Sequence, residues 1–304
     1  MKEKLKTAVI GVGKVTTLHA TALSRLPESH FTAVSSSKKE KADDFAARYG
    51  AKGYTDVSEM VIKEKIDVAV ICTPHPFHKK PAIEAMEAGA HVLIEKPMAS
   101  SIDDCDAMLA TAKKCNKQIG VVSQRRWYLP VQRVKNAIDC GKLDKPVLGT
   151  VMMLGWRDEN YYKSDPWRGS WLCEGGGVLV NQAPHQLDLL QWFMGQPVEL
   201  YGIWSNLNHP YIEVEDTALA IIRFKNGALG NIVVSNSQKP GIYGKVHVHG
   251  KNGASAGVQT DGGAMFIAGM SNILEPPVID LWTIPGEENM LGEMVKEDSE
   301  FFLS

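Results

Sequence analysis

Ala8-Val9-Ile10-Gly11-Val12-Gly13 is the stretch that decides how this chain folds. The apolar run Lys6–Ile10 reads as a short strand, and Thr16–Leu26 has the spacing of a helix. Between them Gly11 permits a tight turn. Gly13 lets backbone approach a pyrophosphate at the helix N-terminus, where free N–H groups and the helix dipole favour anions. Lys14 and Val15 open that helix and belong to the same candidate loop; Thr16 stands where a third glycine would complete the usual spacing. Taken alone, the glycines fit any strand-to-helix turn. A strand before and a helix after favour the dinucleotide-binding loop.

Outward from this loop, strand-like and helix-like segments alternate. Phe31–Ser35, Val68–Cys72, His91–Glu95 and Ile119–Ser123 read as strands; Lys39–Tyr49 is charged and alanine-bearing, and Pro81–Ala88 and Ile102–Lys113 read as helices. Strands apolar along their whole length predict a parallel sheet covered on both faces. Beyond Ser123 the pattern changes. A helix over Val131–Cys140 precedes longer strand-like segments at Val147–Trp156, Val198–Asn206, Thr217–Phe224, Ala228–Asn236 and Tyr243–Gly250. Asn226-Gly227 sits between two of these and signals a hairpin, both residues tolerating positive φ. The expectation is an α/β chain: a dinucleotide-binding Rossmann domain over 1–123, then an α+β domain over 124–304 around a mostly antiparallel, open sheet.

Composition narrows the class. A formal net charge of −2 gives no basic excess, so a nucleic-acid partner has little electrostatic support. The apolar stretch Thr7–Gly11 is too short for a signal peptide, and no run of about 18 apolar residues occurs. The expected location is the cytoplasm, without membrane attachment. Cys72, Cys105, Cys115, Cys140 and Cys173 are scattered singly, which fits a reducing compartment better than a disulfide framework. Cys105 and Cys115 read as small apolar residues, and His247 and His249, lacking a third ligand, as structural; no metal is expected.

The second strand bears on the cofactor. NAD-selecting folds usually place Asp or Glu about 20 residues past the glycines, on the ribose 2′-hydroxyl. Here the strand ends Val34-Ser35-Ser36-Ser37-Lys38-Lys39, with no carboxylate before Glu40. Hydroxyls of Ser36 and Ser37 and a nearby lysine suit a 2′-phosphate, which favours NADP over NAD; the competing reading is a solvated helix start.

Two further segments carry a resemblance. Thr73-Pro74-His75-Pro76-Phe77-His78 precedes Ala88-Gly89-Ala90-His91-Val92-Leu93-Ile94-Glu95-Lys96-Pro97, and Gly175-Gly176-Gly177 leads into Asn181-Gln182-Ala183-Pro184-His185-Gln186-Leu187-Asp188. With Glu215-Asp216-Thr217-Ala218 and the glycine loop, these make the chain similar to the glucose–fructose oxidoreductase / inositol dehydrogenase (Gfo/Idh/MocA) family, from Thr7 to about Gly253. The resemblance implies hydride transfer between NAD(P) and secondary hydroxyls of sugars, sugar derivatives or cyclitols, and an open sheet that often forms the interface of a homo-oligomer, dimer or tetramer. It implies that Lys96 contacts nicotinamide ribose and the reacting hydroxyl, and that His185 exchanges the proton. Lys41 falls where NADP-using members place a basic residue. Thr73, Pro74 and His78 match the loop along the cofactor, Glu95 precedes the lysine, and Gln124 and Arg125 match a segment near the nicotinamide. Two departures stand out. Asn181 occupies the position where Asp is common, though some sugar-acting members carry Asn. The family also usually continues well past Gly253, so the chain, ending at Ser304, is expected to be shortened.

The chemistry accounts for these residue types. The cofactor carries the hydride; the protein must orient the carbon and manage a proton. A lysine whose pKa is lowered by desolvation and by nicotinamide charge can hydrogen-bond a developing alkoxide, and histidine titrates near neutrality. Asn181, His185 and Asp188, at i, i+4 and i+7, would share one helix face, unless Pro184 starts or bends the helix there. The dense stretch holding Trp156, Arg157, Tyr161, Tyr162, Trp167, Arg168 and Trp171 is the candidate substrate wall, its competing reading an ordinary aromatic cluster. A cofactor-binding regulator or sensor without turnover, motivated by Asn181 and the short C-terminus, is the alternative function.

Overall fold

Apolar strands with period-two side-chain placement need cover on both faces, and the first unit supplies it. The computed structural model describes residues 4–260 and 276–303, and the chain divides into two units, Met1–Val122 and Ser123–Ser304. The first runs β1 (Leu5–Ile10), α1 (Lys14–Arg25), β2 (Ser29–Ser35), α2 (Lys39–Ala47), β3 (Lys52–Tyr54), α3 (Val57–Glu64), β4 (Val68–Ile71), α4 (Lys79–Glu87), β5 (His91–Ile94), α5 (Ile102–Cys115) and β6 (Ile119–Val121). All strands are parallel, in the order β3-β2-β1-β4-β5-β6. Val9, Val34 and Val70 pack with Ala20 and Phe45 on one face; Ala8, Ile10, Ile71 and Ile94 pack with Met60 and Met86 on the other. The predicted doubly covered parallel sheet is therefore present. The sequence reading had not marked β3 and α3, which complete it.

The second unit comprises α6 (Leu129–Asp139), β7 (Pro146–Trp156), α7 (Glu159–Lys163), α8 (Val178–Asn181), α9 (Pro184–Met194), β8 (Pro197–Ser205), β9 (Thr217–Phe224), β10 (Leu229–Ser235), β11 (Ser237–Gly250), β12 (Ser255–Gln259), β13 (Val278–Trp282) and α10 (Leu291–Leu303). Its sheet runs β13-β12-β11-β7-β10-β9-β8, antiparallel except for the parallel pair β7–β10. Gly149 of β7 lets α9 lie close, since a Cβ there would come 2.7 Å from Leu190 and Met194. Alternation along β9 buries Ala218, Ile222 and Phe224 and turns Leu219 and Ile221 outward, the latter 63% exposed. Leu200, Ile203 and Trp204 of β8 are exposed as well. The Asn226-Gly227 hairpin forms differently from the expectation. Only Gly227 has positive φ (+86°), and Gly227 N donates to Phe224 O (2.9 Å) while Phe224 N donates to Ala228 O (2.9 Å). The loop is a three-residue one closed by a left-handed glycine.

Candidate functional site

In the first unit the strand order reverses between β1 and β4, where open parallel sheets present a ligand crevice. Gly11 lies there at φ +100°, and a Cβ on it would sit 2.8 Å from Cys72 C and Thr73 N. Conformation and space both demand glycine. Gly13 N donates to Thr16 Oγ1 (3.0 Å), and Thr16 Oγ1 donates to Gly11 O (3.1 Å). Thr16 thus takes the place of the third glycine by tying the turn with its hydroxyl. Gly13's N–H is consumed inside the loop, whereas no described residue accepts from the N–H groups of Lys14 or Val15 in the first turn of α1. Those groups fit a pyrophosphate.

At the end of β2, Ser36 is half-buried and its N–H donates to Tyr54 O (3.0 Å); Ser37, Lys38 and Lys41 are exposed, and Lys39 pairs with Asp43. After β4, Thr73 Oγ1 donates to Phe77 O (3.1 Å), and Pro74 is exposed. His78, matched to the loop along the cofactor, is engaged inside the fold. It is buried, Nε2 donates to Thr73 O (2.7 Å), and Nδ1 lies 3.1 Å from Pro97 O. Burial lowers its pKa, and the ring joins the loop after β4 to the one after β5. Glu95 is likewise spent within the protein: Oε1 meets His19 Nε2 of α1 at 2.7 Å, and Oε2 accepts from Lys96 N at 3.2 Å. Lys96 is half-buried just past the end of β5. His19 escaped the sequence reading because nothing local links a helix histidine to a carboxylate 76 residues on.

In the second unit, Gln124 and Arg125 begin a 3-10 turn over Gln124–Trp127. Gln124 Oε1 is buried without a hydrogen-bond partner among the described residues. Arg125, matched to a segment near the nicotinamide and a candidate substrate contact, is buried, with Nη1 donating to Thr260 Oγ1 (2.6 Å); Gln186 Nε2 donates to the same oxygen (2.9 Å).

The single helix face expected for Asn181, His185 and Asp188 is also corrected. Helix α8 ends at Asn181 and α9 starts at Pro184, whose missing N–H suits a first helical position. His185 is buried in the first turn of α9, and Asp188 is held bidentately by Arg126 (2.7 and 2.6 Å). Asn181 Nδ2 donates to Glu174 Oε1 (2.5 Å) and to Tyr161 OH (3.2 Å). The same phenol oxygen takes Gln182 Nε2 (2.9 Å) and Arg168 Nη1 (2.7 Å). Glu174 accepts from Gly169 N (2.6 Å), and burial pushes its carboxyl up. A carboxylate therefore stands one hydrogen bond behind the asparagine.

Glu215 and Asp216 brace this assembly. Glu215 accepts from three successive N–H groups: Gly177 on Oε2 (2.8 Å), Val178 on its backbone carbonyl (3.1 Å) and Leu179 on Oε1 (3.0 Å). Asp216 Oδ2 lies 2.7 Å from His209 Nδ1, and both side chains are fully buried. Burial alone would raise the Asp216 carboxyl; His209, the N–H groups of Leu207 and Asn208, and Thr217 together bring it below the usual range. His209 Nε2 donates to Arg157 O (2.7 Å), and its ring lies 5.6 Å from that of Trp156. The Arg168 guanidinium covers Trp167 at 4.3 Å and Tyr161 at 4.4 Å. His247 Nε2 meets Asp280 (2.9 Å) and His249 Nδ1 meets Ser255 Oγ (2.8 Å).

Residues 5–123 match the sequence model of an oxidoreductase family with an NAD-binding Rossmann fold, and residues 131–256 match the Gfo/Idh/MocA C-terminal domain. The chain belongs to the Gfo/Idh/MocA family. It is 28% identical over 257 residues to the myo-inositol 2-dehydrogenase of Thermotoga maritima, covering 82% of this chain and 74% of that relative. It is 27% identical over 251 residues to the D-glucoside 3-dehydrogenase of Escherichia coli, covering 74% and 68%. Among solved structures, the WlbA dehydrogenase from Bordetella pertussis, in complex with NADH and UDP-GlcNAcA, matches with a TM-score of 0.85 at 26% identity, over 99% of this chain and 84% of that one. Among the described residues, no helix of this Gfo/Idh/MocA oxidoreductase is long and apolar enough to cross a membrane.

Proposed function

We propose that this oxidoreductase transfers a hydride between a nicotinamide cofactor and a secondary hydroxyl or ketone of a sugar, glycoside or cyclitol. The observation that carries the reading is the setting of Lys96. It follows β5, and Glu95 beside it is anchored by His19 of the helix whose first-turn N–H groups are left for a pyrophosphate. Gly11, Gly13, Lys14, Val15, Thr73, Pro74 and Gln124 are the cofactor contacts of this reading, with His78 and Glu95 holding the loops. When bound, the nicotinamide gives or takes the hydride. Lys96 then hydrogen-bonds the reacting oxygen, and His185 exchanges the proton, oriented through Asn181 and the Glu174 carboxyl behind it. The relatives named above are dehydrogenases, which supports catalysis over the sensor alternative.

The test is a screen of inositols, glucosides and free sugars for change in nicotinamide absorbance, with NAD and NADP in turn. At least one should react, and Lys96→Ala or His185→Ala should lower its turnover at least ~tenfold. Silence across the panel, or near-normal turnover in both variants, would sink the reading. NADP is the favoured partner, since Ser36, Ser37 and Lys41 offer hydroxyls and a cation where a carboxylate would select NAD. Ser36→Asp should shift preference toward NAD; an unmoved ratio removes this assignment. The exposed outer-face residues Tyr201, Ile203, Leu219 and Ile221 support a homo-oligomer formed through the sheet. Sedimentation should give at least a dimer.

A further inference from the structure

Arg157 is a positioned cation that meets no carboxylate among the described residues. Its N–H donates to Asn236 O (3.1 Å), and its carbonyl is gripped by His209, itself locked on Asp216. Its Nη1 donates to Trp156 O (2.9 Å), and the guanidinium lies 5.2 Å from the centre of the Tyr161 ring. Its Nε is buried with no hydrogen-bond partner among the described residues. Elsewhere in the second unit, Arg126, Arg133, Arg168 and Arg223 each have a carboxylate within 4.0 Å: Asp188, Glu297, Asp165 and Glu199. Arg157 has none among the described residues. The acidic residues that follow it are engaged otherwise, Asp158 accepting from Tyr161 N at the start of α7 and Glu159 pairing with Lys163.

The excess is shared across one ring. Arg168 lies over Tyr161 as well, so two guanidinium groups lie against one phenol, and among the described residues only the Asp165 carboxylate, itself 45% exposed, pairs with either. Tyr161 OH is the acceptor for Asn181 and Gln182, the residues that lead into His185. A half-buried cation without a counter-ion costs free energy until an anion arrives, and a guanidinium offers carboxylate or phosphate oxygens two parallel N–H donors.

We propose that the substrate is an anionic sugar, its charge a carboxylate or a phosphate ester, and that Arg157 is the residue that takes this charge. The proposal rests on the oxidoreductase reading and narrows it. Calorimetric titration of the full chain, saturated with oxidised cofactor, with D-glucuronate, D-glucose 6-phosphate and D-glucose tests it. One of the two anionic sugars should bind at least ~tenfold tighter than glucose, a difference of about 1.4 kcal/mol. That preference should fall as salt is added. Arg157→Gln should abolish it, and Arg157→Lys, which keeps the charge but loses the fork, should retain part of it. Whichever anion binds identifies the group. Equal binding of all three sugars, no binding of any, or a preference that survives in Arg157→Gln would overturn the proposal. Turnover of a neutral sugar beside absent anion preference would end this proposal while leaving the oxidoreductase reading intact. Anion binding without turnover of any sugar would do the reverse.

Discussion

Two glycine runs lead into helices in this chain, and they use the helix N-terminus in opposite ways. At Gly11-Val12-Gly13 the first-turn N–H groups of Lys14 and Val15 have no acceptor among the described residues. At Gly175-Gly176-Gly177 the N–H groups of Gly177, Val178 and Leu179 all end on one residue, Glu215, through both carboxylate oxygens and its carbonyl. The first end is left for a ligand's anion; the second carries its anion within the fold. Glycines therefore mark close approach in both places, and what approaches is decided by whether the chain supplies a carboxylate.

Alanine at each run tests this contrast, with the larger effect in the second. A Cβ on Gly177 would fall 1.8 Å from Glu215 O, so the three-bond grip must part. Gly177→Ala should cost on the order of 4 kcal/mol and lower the melting temperature by about 10 °C or more, or leave no soluble protein. A normal melting curve would show that the approach is not essential. Gly11→Ala meets softer resistance, 2.8 Å from the backbone at φ +100°, and should cost about 1–3 kcal/mol. Its telling effect is on ligand: NADPH affinity measured by fluorescence should fall at least ~tenfold. Unchanged affinity would remove the loop from the cofactor site.

How much of this was legible depends on the range of the interaction. The parallel sheet could be read from Ala8–Ile10, Val68–Cys72 and His91–Glu95 because burial on both faces writes itself locally as uninterrupted apolar runs. Strand β3 could not: its three residues, Lys52-Gly53-Tyr54, are too few to show a period. Strands β12 and β13 were missed because Gly257 and Asp280 break their apolar runs. Site residues divide in the same way. Gly11, Lys96 and His185 sit in recognisable motifs, but the uses of His19, Glu174 and His209 depend on partners brought together only by folding. His78 and Arg125 show the converse. Motif position suggested contact with ligand, whereas packing gave both side chains interior partners. Asn181 looked like the loss of a charge, and only the fold reveals Glu174 behind it.

The smallest effect concerns whether every carboxylate beside the second glycine run stabilises it. Glu174 directly precedes Gly175, and burial raises its pKa despite donors from Gly169 and Asn181. A carboxyl whose folded-state pKa lies above its unfolded value favours folding fully below the unfolded value, near pH 4.3; that contribution is lost as pH rises through the folded-state value. Ionising Glu174 therefore costs stability. Glu174→Gln leaves one of two donors without its oxygen, a penalty of about 1–3 kcal/mol that does not vary with pH. Superimposed on that offset, the variant should lose less stability than the parent as pH climbs from about 4 to 8, since the amide cannot ionise. The gap between the two melting temperatures should narrow by roughly 2–4 °C for each kcal/mol of ionisation cost removed. Parallel curves would mean that ionising Glu174 carries no cost to folding.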